Sequence, residues 1–142
     1  MNPSILFPLL YILMLGTLLV YFYINGKKAL SIFQDIEADH IKYRESGVSG
    51  YSTLSRQTKM GGANKVLQLI VTKDELWVKT HVITAAIGQR FDLIHRIKLE
   101  NIRAKEGVKE GIQLNFTSAQ NEEKQLILIS KNPDEFIRAL KN

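Results

Sequence analysis

The sequence contains no cysteine. That excludes disulfides, thiolate zinc sites and a cysteine nucleophile, and it agrees with a cytoplasmic domain. Charge is missing from the first 26 residues: all 19 Lys and Arg and all 14 Asp and Glu follow Gly26. The three histidines, His40, His81 and His95, form no HxH or HxxxH pair. There is no GxSxG elbow, no Walker-type GK[ST] loop and no GxGxxG fingerprint, so the common hydrolase and nucleotide signatures are absent. Repeats, low-complexity tracts and an acidic tail are likewise missing.

The charge-free start is occupied by an apolar run, Ile5 to Ile24. As a helix its twenty residues would span about 30 Å, the thickness of a bilayer's hydrocarbon core. A cleaved leader would need a basic start, a shorter core and small residues before the cut. This run instead begins Met1-Asn2-Pro3-Ser4 and ends Tyr21-Phe22-Tyr23-Ile24, with Lys27 and Lys28 just beyond. Aromatic residues suit the membrane border, and the basic flank marks the cytoplasmic side. The expectation is a retained single-pass anchor in the inner (plasma) membrane, N-terminus outside, with residues 5–24 in lipid. Pro8 lies near the helix start, where its missing N–H matters little. Gly16 has Ile12 and Val20 four residues either side, so no small-residue seam for a helix dimer is expected.

Everything after Asn25 therefore reads as a domain beside a membrane, carrying the whole formal charge of +5. The basic residues are scattered, which argues against nucleic acid. From Lys27 to about Tyr43 apolar residues recur at spacings of three and four (Leu30, Phe33, Ile36 or Glu37, His40, Tyr43), which predicts a juxtamembrane helix. Ser46-Gly47-Val48-Ser49-Gly50 reads as its break and linker. Strand signals follow at Tyr51–Met60 (weak), Lys65–Thr72, Leu76–Thr80, Phe91–Leu99, Ile102–Glu106, Ile112–Thr117 and Gln125–Ser130. The chain closes on a helix with complete start signals: Asn132 as cap, Pro133 in first position, then Asp134 and Glu135. Phe136, Ile137 and Leu140 give that helix an apolar stripe. The expected class is α+β: an N-terminal transmembrane helix, then a bent antiparallel sheet or small barrel of about seven strands with a C-terminal capping helix. The expected divisions are 1–26 anchor, 27–50 juxtamembrane helix and linker, and 51–142 folded domain.

The strand order, the capped terminal helix and the segments LWVKT, FDLIHRIKLENI and KNPDEFIRAL resemble a bacterial pleckstrin-homology-like (PH-like or GRAM-like) domain over about Tyr51 to Asn142. The resemblance implies a bent seven-stranded barrel stoppered at one end by the helix, and a binding module without catalytic residues or cofactors. Lipid-binding members use basic residues around the first hairpin. The nearest positions here are Arg56, Lys59 and Lys65, with Lys27 and Lys28 at the membrane exit. The family's dense basic motif is not reproduced.

Other constellations have plain alternatives. Glu37 and His40 share a Glu-x-x-His spacing, yet a carboxylate metal site needs a second such pair on facing helices, so no metal is expected. Gly61-Gly62 beside Lys59 and Lys65 reads as a turn before a phosphate cradle. Trp77 reads as core. The charge-free stretch Val82 to Gly88 reads either as a buried connection closing the barrel or as an exposed loop whose Ile83 and Ile87 touch the bilayer or a partner. The functional expectation is a membrane-anchored module docking a protein partner. The alternatives are a structural subunit assembled through the membrane helix and an anionic-lipid sensor; an enzyme ranks last.

Overall fold

The computed structural model describes residues 3–33, 38–109 and 111–141. Its first element, α1 (Pro3–Ala29), carries the whole apolar run in one helix with Pro8 inside it. At about 1.5 Å per residue it is roughly 40 Å long. It is long and apolar enough to cross a membrane, and its apolar window is exposed over the whole girth. Lys27 and Lys28 lie in its last turn, where cations complement the helix dipole. A single turn, Leu30–Ile32, follows, and at Phe33 the backbone becomes extended.

Seven strands then form one antiparallel sheet: β1 (Ile41–Ser52), β2 (Ala63–Thr72), β3 (Glu75–Lys79), β4 (His95–Lys98), β5 (Ile102–Val108), β6 (Gly111–Thr117) and β7 (Glu123–Ile129). Their spatial order is β4-β3-β2-β1-β7-β6-β5. The sheet curls into a half-barrel, and α4 (Pro133–Lys141) packs Phe136 and Leu140 into its core. Residues alternating along β6 (Ile112, Leu114, Phe116) and β7 (Leu126, Leu128) fill the interior, the period of two that a one-sided sheet requires. The α+β class expected from the sequence is the class observed.

The start of the sheet departs from expectation. Ile41 to Ser52 is one twelve-residue strand, so residues 41–50 are neither helix nor linker, and the sheet begins ten residues before Tyr51. β1 is the bend of the half-barrel: its first part pairs with β2 and its last four residues pair with β7. Gly47, read as a break, sits at a register shift with φ of +75°. Only glycine takes that conformation without cost. Pairing with β2 overrides the three-and-four spacing where it reaches Ile41 and Tyr43; Ile36 and Glu37 lie outside the described residues.

Two short helices stand where none was expected. Over Tyr51–Met60 the strand stops at Ser52 and α2 (Arg56–Met60) follows. Ser55 Oγ accepts from the Thr58 N–H (3.1 Å) and Thr58 Oγ1 accepts from the Ser55 N–H (2.9 Å). This is a capping box with threonine in place of the usual glutamate. The apolar stretch, expected as a buried connection or an exposed loop, forms a helix, α3 (Val82–Arg90), with Ala85 and Gly88 buried. Phe91 to Ile94, expected to extend β4, is the turn leaving α3.

Candidate functional site

The folded domain is joined to α1 at two places. First, α3 packs against the last turns of α1. The buried residues of these two helices are all small: Gly26 and Ala29 on α1, Ala85 and Gly88 on α3. A Cβ at Gly26 would overlap the Val82 carbonyl, so the backbones meet there at a distance only glycine permits. Second, the chain leaving α1 crosses the outer face of β3 and β4. Phe33 lies on Trp77 with ring centroids 5.1 Å apart. Arg96 donates through Nε to Glu75 (2.8 Å) and through a terminal nitrogen to the Ile32 carbonyl (2.9 Å). The Trp77 indole N–H donates to the same Glu75 oxygen (2.8 Å), and the Arg96 guanidinium lies 5.3 Å from the Trp77 ring centre. Burial pushes the Glu75 carboxyl up, but its bonds from Arg96 and Trp77 hold it below the usual value, so it stays an acceptor at neutral pH. Trp77 is buried, as expected, yet by this joint: Leu76 and Val78 point inward and Trp77 points out.

Beside this joint, a groove of about 770 Å³ opens between β4 and the β6–β7 connection. Ile94, Ile97 and Phe116 supply apolar walls, Asn121 and Lys124 polar ones, and Ile32 and Glu75 join it to the side facing α1. Its polar centre is Asp92, which accepts from Lys124 Nζ (2.8 Å) and from Ser52 Oγ (2.9 Å). Asp92 has φ of +57°. It ends α3 with its own N–H bonded to the Gln89 carbonyl and the Leu93 N–H bonded to the Gly88 carbonyl, a position usually given to glycine. Aspartate there accepts some backbone strain and in return ties β1, β7 and the end of α3 together. His95 lies 2.7 Å from the Asp92 carbonyl and meets Phe116 edge-on. Burial depresses the His95 pKa, against the pull of Asp92, so the imidazole is neutral at pH 7. A second hub sits at α4: Glu45 accepts from Tyr43 (2.6 Å), Ser130 (2.6 Å) and the Lys131 N–H (2.7 Å). Burial and that Glu45 bond push the Tyr43 hydroxyl up to about 12.

The residues singled out from the sequence are distributed over several surfaces. Lys27 and Lys28 are exposed at the end of α1. Arg56 and Lys59 are exposed on α2; Arg56, Met60 and Gly61 share a shallow depression with Phe91, so α2 abuts the end of α3. Lys65 is apart from them, at a β1–β2 irregularity where its N–H bonds Ser49 Oγ (2.9 Å). Ile83 and Ile87 are 47% and 45% exposed on one edge of α3. Among the described residues no group of three or more metal-ligating side chains converges; Glu37 lies outside them.

Nothing in the sequence marks Asp92, Lys124, Ser52 or Arg96 as site residues. Single residues in polar strands carry no signal of pairing partners 21 to 40 positions away. The chain matches no protein-family model and no curated protein.

Proposed function

We propose that the chain is a single-pass protein of the inner (plasma) membrane, N-terminus outside, whose PH-like domain docks a protein partner at the cytoplasmic surface without a catalytic step. The length and apolarity of α1 support the span, and Lys27 and Lys28 after an uncharged N-terminal flank support the orientation. Seven curled antiparallel strands with a helix in the core support the PH-like assignment. The acidic and basic groups at the groove's centre are paired to each other, which favours recognition over proton transfer.

The observation that carries the docking role is the joint. It holds the domain on α1 while leaving the groove open alongside. Held this way, the groove meets membrane-bound partners at high effective concentration, so weak contacts suffice. The test is a photocrosslinking amino acid at Gln120, in the groove rim, compared with one at exposed Lys141, in the full-length chain in membranes. A discrete protein adduct from Gln120 and none from Lys141 is expected. Adducts arising only from α1 positions such as Met14 would assign the assembling role to the membrane helix.

A further inference from the structure

We infer that α3 is an interfacial helix: it lies in the headgroup layer of the membrane that α1 crosses, with Ile83 and Ile87 immersed in lipid and neighbouring cations on anionic headgroups. The inference rests on reading α1 as a span. Its first support is position. α3 is packed against the last turns of α1, where Gly26 receives Val82. Four residues before Gly26 comes half-buried Phe22, flanked by exposed Tyr21 and Tyr23, the residue types that settle at a membrane–water border. An element seated there is held at headgroup depth.

The second support is the division of α3 into two faces. Ala85 and Gly88 are buried, whereas Ile83 and Ile87, four residues apart and hence on one edge, stay exposed. Two of its three large aliphatic side chains, Ile83 and Ile87, are left uncovered by the domain, an exposed apolar edge that a lipid surface would cover. Charge is the third support. No Asp or Glu occurs in α1, α2 or α3, while Lys27, Lys28 and Arg90 are exposed around the α1–α3 pair. The acid nearest in sequence, Asp92, is engaged by Ser52 and Lys124. Cations on helices that carry no acid of their own, beside an aliphatic edge, complement an anionic bilayer, and the bilayer of α1 needs no recruitment.

The test places one nitroxide at a time in the full-length chain, which has no native cysteine, by Ile83→Cys, Ile87→Cys, Met14→Cys or Gln120→Cys. Each chain is reconstituted in nanodiscs containing phosphatidylglycerol, and collisions with oxygen and with a water-soluble nickel chelate are compared. Labels at 83, 87 and 14 are expected to favour oxygen, as in lipid, with the label at 120 favouring nickel. A label at 14 in lipid with those at 83 and 87 open to nickel overturns the inference and leaves the span standing. Protection of 83 and 87 from both reagents also overturns it, because protein then covers them. A label at 14 open to nickel instead overturns the span itself. Because α3 is seated on α1 at Gly26, replacing the anionic lipid by phosphatidylcholine is expected to leave 83 and 87 at the same depth; a shift of both toward water with 14 unmoved overturns the claim that packing on α1 sets that depth.

Discussion

Removing the Phe33 side chain tests the joint with a reporter already in place, because Trp77 is the chain's one tryptophan. Trp77 is 3% exposed, and its cover includes the Phe33 ring and the Arg96 guanidinium. Phe33 is half-buried, so Phe33→Ala should forfeit about half the 3–5 kcal/mol of a fully buried Phe→Ala change, or about 2 kcal/mol with the ring pairing included. That shifts the closed joint toward open about thirtyfold. Trp77 projects from the face opposite the core, so the sheet should stay folded. The assay is tryptophan emission and acrylamide quenching of the full-length chain in nanodiscs. A red shift and stronger quenching are expected in Phe33→Ala, with most of the protection restored in Phe33→Leu. Unchanged emission and quenching in Phe33→Ala would refute the claim that the exit from α1 is clamped on β3 and β4.

Three further outcomes follow from the same contacts. Gly26→Ala should loosen α3 from α1 at a cost of about 1–3 kcal/mol, read as faster tryptic cleavage at Arg90. Gly16→Ala, where a Cβ would meet nothing within 4 Å, should have no such effect, and equal cleavage in the two variants would contradict the packing. Asp92→Asn leaves the Lys124 ammonium, whose side chain is only 14% exposed, with no carboxylate nearer than exposed Glu122 at 4.0 Å. It should cost about 3 kcal/mol, seen as a lower urea midpoint, and a midpoint unchanged from wild type would remove Asp92 from its role as hub. Because the folded His95 pKa lies below its unfolded value, the unfolded chain takes the proton first. Stability should therefore be full above about pH 6.5 and fall as pH drops through the window down to the folded pKa. His95→Gln should flatten that slope, and a variant as acid-sensitive as wild type would place the dependence elsewhere.

Much of the scaffold was legible in the sequence because its signals are local. The alternation of Ile112, Leu114 and Phe116 and the Asn-Pro-Asp-Glu start of the last helix each specify an element without outside help. The misread elements are those whose partners lie far away. Ile41–Ser52 starts on the helical spacing that ends at Tyr43 and runs on through Ser46–Gly50, which reads as a linker; pairing first with β2 and then with β7 makes it one strand. Val82–Arg90 is rich in residues of modest helix propensity, and packing against α1 decides it. α2 is the local exception: its capping box is written in the sequence as Ser55-x-x-Thr58, but threonine in place of the usual acid removes the familiar signature. The groove's centre was least legible, since Ser52, Asp92 and Lys124 meet only after β1, β7 and the end of α3 are assembled.

The central claim is that the domain is fixed on α1, and a single distance distribution tests it most directly. Nitroxides introduced by Lys28→Cys, on the last turn of α1, and Gln120→Cys, on the groove rim, give one pair in a chain without other cysteines. Pulsed dipolar spectroscopy of the full-length protein in nanodiscs should return one narrow distance, broadened by Phe33→Ala. A broad distribution in the unmodified joint would mean that the domain swings freely from its anchor, and would contradict the account.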